Sequence, residues 1–335
     1  MTHKTVFLTG AAGFIGSNTA ETLLKRGYTI VGFDNLNSVY DPRKKRHNIK
    51  QIEAAAGEGR FTFIEGDLRD TKAVAKALSL KSYDAVIHLA ALAGVQPSIA
   101  DPKAYAETNI TGTLHVLETA VQRKIRSIVF ASSSSVYGSN QKLPFSESDP
   151  VDQPISPYAA TKRAGELLAH VYAHLHGLHI ACLRFFTVYG PRQRPDLAIY
   201  KFTRAMLRGE PITLYGDGSS SRDYTYIDDC VAGILRAMNW TLEGDPEASR
   251  FDIFNLGESQ TVQLDELVKL LEKNLKTKAQ RTYADYLPGD VYATFADLSH
   301  AKEVLGYQPK IKIEEGIRRF CRWYLEEEKD APWAK

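Results

Sequence analysis

Cysteine is scarce: Cys182, Cys230 and Cys321 stand far apart and are odd in number. A disulfide scaffold is excluded, and a reducing compartment is expected. An excess of charge of one sign is also missing. The 42 Lys+Arg and 40 Asp+Glu leave a net charge of +2. This excludes an acidic disordered chain and gives no support to a nucleic-acid binder acting through bulk charge. No apolar run approaches the roughly 18 residues of a membrane span. The opening Met1-Thr2-His3-Lys4 leads straight into an apolar strand, so no signal peptide is expected and a cytoplasmic protein is. Neither a fixed-period repeat nor a low-complexity tract occurs. Without a Gly-x-Ser-x-Gly elbow, a Ser hydrolase of that type is rejected. His170 and His174 are spaced i,i+4, with His176 and His179 following, but Val171 stands where a zincin helix needs Glu. A solvated helix end is expected there, and no metal site.

The chain has 335 residues, 44% of them hydrophobic, which suits two domains with a sizeable core. Short β-branched runs alternate with helical stretches. Strands are expected at Thr5–Thr9, 29–33, 61–64, 85–89, 127–131 and 180–185, with a helix from Phe14 to Arg26. This alternation implies an α/β fold, a doubly wound parallel sheet covered on both faces. After about residue 187 the texture changes, with Pro191, Pro195, Gly209, Pro211, Gly216 and Gly218 punctuating shorter elements. A first domain of residues 1–187 is expected, and a smaller α/β domain over 188–330. Helices are expected near 198–208, 262–275 and 314–327. The stretch Asp228–Trp240 reads as a helix capped by Asp228, with a return to the first domain around 224–255.

Gly10-Ala11-Ala12-Gly13-Phe14-Ile15-Gly16 follows the first strand and opens a helix. Glycines at this spacing give a tight turn, close approach to a pyrophosphate, and close packing of helix on strand. The pyrophosphate sits on the free N–H groups of the helix start. Asp34 lies 18 positions past Gly16, near the separation of about 20 expected of the acid that binds a ribose 2′-hydroxyl. A carboxylate there repels a 2′-phosphate, so NAD is favoured over NADP. The run Arg43-Lys44-Lys45-Arg46 could argue the other way and is read as a solvated helix face. Strand ends at Asp67-Leu68 and at Leu89-Ala90-Ala91 should line the same cleft. His88 reads as a packed core histidine.

The strand near Val129 ends in Ser132-Ser133-Ser134-Ser135-Val136-Tyr137-Gly138, and Tyr158-Ala159-Ala160-Thr161-Lys162 follows. Tyr and Lys four apart share one helix face, often merely as a surface pair. A phenol near pKa 10 needs roughly three units of depression to act as a base near pH 7. A neighbouring ammonium and a cationic nicotinamide could supply that, and a serine hydroxyl on the same substrate oxygen would complete a proton-transfer site.

With these motifs in this order, the chain resembles the extended short-chain dehydrogenase/reductases from Gly10 to about Trp323. The resemblance implies a Rossmann-like fold, a tightly held and recycled NAD, and a nucleotide-sugar substrate. It also implies a catalytic group of Ser133, Tyr158 and Lys162. Cofactor contacts would come from Gly10, Gly13, Phe14, Ile15, Gly16, Asp34, Asn35, Asp67, Leu68, Leu89, Ala90 and Ala91. Asn109, Phe185, Tyr158 and Lys162 would complete that set. Sugar 4,6-dehydratases carry Asp-Glu where Ser134 and Ser135 stand here. UDP-glucuronate decarboxylases carry Glu at position 135, and UDP-galactose 4-epimerases usually carry Asn at position 187. Leu183 to Asp196 most resembles UDP-glucuronate 4-epimerases. Thr187 and Arg194, with Arg192 as the other candidate, would meet a substrate carboxylate. The alternative for these arginines is the diphosphate or a surface ion pair. Ser133, Ser134 and Ser135 are further substrate candidates. By the same resemblance Arg222 contacts the UDP diphosphate and Asp290 the uridine ribose, with Leu287 where many relatives have Arg. The expected reaction interconverts UDP-glucuronate and UDP-galacturonate, and the expected assembly is a homodimer through helices at 104–121 and 157–174. UDP-glucose/galactose 4-epimerisation and UDP-glucuronate decarboxylation are the alternatives within this chemistry. An NAD-sensing regulator is the alternative outside it, disfavoured because it has no need of Tyr158 and Lys162.

Overall fold

A strand buried on both faces must be apolar along its length, and Val6, Phe7 and Leu8 are wholly buried. In the computed structural model, which describes residues 4–245 and 247–334, they form β1 (Thr5–Thr9). Met1 to His3, part of the expectation about the chain's start, lie outside the described residues. Then follow α1 (Phe14–Lys25), β2 (Thr29–Asp34), α2 (Pro42–Ala56), β3 (Phe61–Glu65), α3 (Thr71–Ala77) and β4 (Ala85–His88). Short helices α4 (Val95–Ala100) and α5 (Pro102–Ala106) lead through a π-helical turn, Glu107–Thr111, into α6 (Gly112–Gln122). Next come β5 (Ser127–Ser133), α7 (Pro157–His176) and β6 (His179–Phe185).

The remainder runs β7 (Thr187–Tyr189), α8 (Ala198–Arg208), β8 (Ile212–Tyr215), β9 (Ser221–Tyr226), α9 (Ile227–Leu242), β10 (Arg250–Leu256) and β11 (Thr261–Gln263). It closes with α10 (Leu264–Leu275), β12 (Arg281–Ala284), α11 (Ser299–Leu305) and α12 (Ile313–Trp323). The main sheet has seven strands in the order β10-β6-β5-β4-β1-β2-β3, every pair parallel. The chain winds outward both ways from β1 and β4, so a crevice opens at their carboxyl ends. Smaller sheets, β11-β9-β7 and β12-β8, stand over that crevice. Among the described residues no helix is long and apolar enough to cross a membrane.

Helix starts explain much of the geometry. Asp41, Asp70, Asp101 and Ser156 each cap a following helix through a side-chain oxygen. The α1 start has Gly13 in that place and no side-chain cap, so its first N–H groups are left to whatever enters the crevice. On α7, Ser156 and Pro157 fix the start and left-handed Gly177 the end.

Several expectations are corrected. Lys44 and Lys45 are not solvated: both are buried, Lys44 paired with buried Glu328 and Lys45 set 3.7 Å from Asp34. The C-terminal segment covers α2 there, which no local pattern announces. Arg43 and Arg46 do face water. His179 is buried on β6, its ring against the carbonyls of Thr241, Asp245 and Ala248. The α9 cap position is Tyr226, and Asp228 sits in the first turn instead, where a carboxylate still complements the helix dipole. The stretch expected to be one helix over 262–275 begins as β11, an edge strand antiparallel to β9.

Candidate active site

One crevice of about 1050 Å³ runs from the glycine loop to β8 and Asp290. Pockets for single drug-sized ligands span about 300–1,000 Å³, so this crevice stands at the top of that range. At one end the carbonyl of Gly10 would lie 2.0 Å from a Cβ added at Gly16, whereas Gly13 meets nothing nearer than 3.2 Å. The helix is drawn tight onto the strand, while the uncapped α1 start stays accessible. These residues fit a dinucleotide pyrophosphate. Gly16→Ala should force the loop apart. The purified protein should then carry much less bound NAD, as read from its absorbance after denaturation.

Asp34 ends β2 and accepts from the N–H of Ala12 (3.2 Å) and Leu36 (2.9 Å). Burial pushes its carboxyl up, with Lys45 opposing. Asn35 donates to Asp67 (3.0 Å), whose carboxyl Arg69 holds well below the usual range. Leu68, Leu89, Ala90 and Ala91 line the wall beyond, as Phe14, Ile15 and Phe185 do. His88 lies between Thr9 (2.7 Å) and Thr113 (3.1 Å), and burial depresses it to about 3, so it stays neutral.

Ser133, Tyr158 and Lys162 come together where β5 ends against α7. Burial raises the pKa of the Tyr158 phenol, and the Ser133 hydroxyl and the charge of Arg194 oppose it, while Ser133 Oγ donates to Ser135 Oγ (3.1 Å). In the chain alone, therefore, the phenol is not depressed as the proton-transfer reading needs. Lys162 donates to the carbonyl of Ala131 (2.7 Å) and is pushed down by burial to about 8, Glu166 opposing. Asn109 does not face the crevice. It sits in the π-helical turn, bonded to both backbone groups of Leu92 and to Thr161, and so ties α7 to the loop after β4.

Ser134 and Ser135, in a 3₁₀ turn after β5, and Thr187, at the start of β7, face the same space. Arg194 reaches it too, held by Asp196. Arg192 does not. With φ at +68° it turns away to Glu21 (2.5 Å), in a shallow cleft with Arg318, Arg319 and Arg322. It is not among the residues that line the main crevice. Arg222 and Asp290 line the far end, where Arg222 donates to the carbonyls of Ser221 and Tyr292. Lys45 and Asp196 also line the crevice without a mark in the sequence: Lys45 stands in a basic run, and the role of Asp196 shows only in its pairing with Arg194. Among the described residues no cluster of acids, histidines or cysteines is set to hold a metal.

Residues 7–320 match the family model described as GDP-mannose 4,6 dehydratase. UDP-glucuronate 4-epimerase 1 of Arabidopsis thaliana is 46% identical over 332 residues, covering 96% of this chain and 76% of that protein. UDP-glucuronic acid 4-epimerase from Bacillus cereus, in complex with UDP-glucuronic acid and NAD, superposes with a TM-score of 0.88 at 36% identity, covering 96% of this chain and 99% of that one. UDP-glucose 4-epimerase from Thermotoga maritima, with UDP-glucose, gives 0.85 at 33% identity, covering 96% and 99%.

Proposed function

Because the chain belongs to the extended short-chain dehydrogenase/reductase family, we propose that it is an NAD-dependent UDP-sugar 4-epimerase interconverting UDP-glucuronate and UDP-galacturonate. The observation that carries this is one crevice holding Ser133, Tyr158 and Lys162 together with Thr187 and Arg194. At Ser134 and Ser135, where the dehydratases of this family carry an acid and a base, only hydroxyls stand. Elimination of water therefore has no agent.

NAD, when bound by the glycine loop and Asp34, would supply a reversible hydride acceptor that is not consumed. Tyr158 removes the proton of the C4 hydroxyl and later gives it back. Ser133 holds the C4 oxygen throughout. Lys162 places a cation beneath the phenol and, by the family resemblance, binds the nicotinamide ribose. The remaining cofactor contacts are those named from the sequence, save that Asn109 acts through Leu92 and Thr161. Arg222 and Asp290 anchor the UDP end while the 4-keto sugar turns over. In this reading residues 1–187, with the return through β10, bind NAD, and most of 188–330 bind the sugar nucleotide.

The 4-keto form of a glucuronate is a β-keto acid and loses carbon dioxide when the breaking bond overlaps the carbonyl π system. Thr187 and Arg194 hold the carboxylate out of that alignment. Thr187→Val and Arg194→Lys should each raise the share of UDP-pentose at least about tenfold; unchanged ratios in both would remove this role. The protein as a whole is tested by incubation with UDP-glucuronate and no added cofactor. UDP-galacturonate is the expected product. UDP-pentose alone would favour decarboxylation, and turnover of UDP-glucose alone would favour the neutral hexose.

A cytoplasmic homodimer completes the proposal. Leu167, Val171 and Leu175 form one exposed apolar stripe along α7, which a second copy would cover. Light scattering should give twice the 37.3 kDa chain mass.

A further inference from the structure

Arg194 has five N–H donors, and its own chain already engages three. Nε donates to Oδ1 of Asp196 (2.9 Å) and Nη2 to Oδ2 (2.5 Å), a side-on fork. Nη2 also donates to the carbonyl of Ala93 (3.3 Å). Only Nη1 is left, so no two-point edge remains for another carboxylate. Arg194 is largely buried, with 18% of its side chain exposed, and Asp196 is twice as exposed at 37%. Both face the crevice.

A substrate carboxylate could add to this pair or replace its acid. Addition would surround one guanidinium with two carboxylates and leave a net negative charge beside Tyr158. That would oppose formation of the phenolate the reaction needs. Replacement keeps the pair neutral. It also costs little at Asp196, because a half-exposed carboxylate moves readily into water, whereas a buried guanidinium must not be left unpaired.

We propose that Asp196 is a specificity-determining residue, a resident carboxylate that occupies the fork of Arg194 until the carboxylate of a UDP-hexuronate displaces it. The inference rests on the UDP-glucuronate reading above. A neutral hexose has nothing to exchange and leaves the Arg194–Asp196 pair closed. Asp196 then screens Arg194 from small anions while the crevice waits for substrate.

The test is calorimetric binding to the NAD-loaded protein, with Tyr158→Phe as the background so that no turnover intervenes. Asp196→Asn replaces a charged acceptor with a neutral, weaker one and should be displaced more easily. UDP-glucuronate should bind about fivefold tighter, and UDP-glucose within about twofold of before. With Arg194→Ala also present, Asp196→Asn should have no effect on either sugar. Unchanged or weaker binding of UDP-glucuronate would overturn the exchange and make Asp196 a positioning residue for Arg194. A parallel shift for both sugars would equally overturn it, as a general structural effect. If the background protein prefers UDP-glucose to UDP-glucuronate, the substrate reading itself fails, and this inference with it.

Discussion

Tyr158→Phe should lower turnover of UDP-glucuronate by about 10²–10⁴-fold while leaving the protein folded and loaded with NAD. The ring itself has a structural task that phenylalanine can perform: it packs edge-on against Tyr105, centroids 6.2 Å apart. Only the hydroxyl is lost, and with it the group that takes and returns the C4 proton. Ser133 cannot substitute, because an alcohol is a far weaker acid than a phenol. It can hold the C4 oxygen but not stay ionised near pH 7. Phenol burial raises the pKa of Tyr158, with Ser133 and Arg194 opposing. Bound cofactor and a correctly held substrate must therefore supply the remaining depression. Turnover of the parent should accordingly fall at acid pH, where the phenolate is not reached. The residual turnover of the variant should lose that acid limb. A variant that kept parental turnover would remove Tyr158 from the reaction.

Local signals were legible in the sequence and distant ones were not. The strands of the first half show as β-branched runs because each is buried on both faces. The glycine loop shows because its spacing is set within seven residues. Ser133, Tyr158 and Lys162 could be named from order alone, since β5 and the start of α7 each carry their own marks. The positions that misled depend on chain far away. Lys44 looks like a solvated lysine until Glu328 arrives beside it. His179 looks like part of a helix end until the last turn of α9 and the α9–β10 connection supply three carbonyls. Arg192 and Arg194 are indistinguishable as letters, yet a left-handed backbone at Arg192 sends one to Glu21 and leaves the other in the crevice. A return to the first domain around 224–255 is expected from the sequence, but not its form: only the pairing with β6 makes β10 the edge strand of the main sheet.

The same distance effect hides a buried ion pair near the site. Arg184 on β6 and Glu166 on α7 are both fully buried and doubly bonded, Nε to Oε1 at 2.9 Å and Nη2 to Oε2 at 3.0 Å. Glu166 also accepts from Ser132 (2.6 Å), the neighbour of Ser133. It lies one helical turn past Lys162, itself one turn past Tyr158, so all three share a face of α7. The pair thus fastens the helix that carries the phenol and ammonium to the strand that carries the serine. Arg184→Ala leaves the buried Glu166 carboxylate with only Ser132 and the partly exposed Arg163 (3.1 Å) and should cost about 3 kcal/mol of unfolding free energy, read as a lower urea midpoint at unchanged slope. Glu166→Gln keeps the shape but turns one accepting oxygen into a donor and removes the charge beside Lys162, so the pH dependence of its turnover reports on chemistry. Burial pulls the Lys162 ammonium down to about 8, and Glu166 is the negative charge that opposes the pull. The other groups against Lys162 are the Phe130 and Tyr158 rings, the Ala131 carbonyl and neutral His88, and none of these carries a fixed negative charge. Without Glu166 the ammonium gives up its proton at lower pH, so the alkaline fall in turnover should move to lower pH. A purely structural role would reduce turnover at every pH and leave that limb in place.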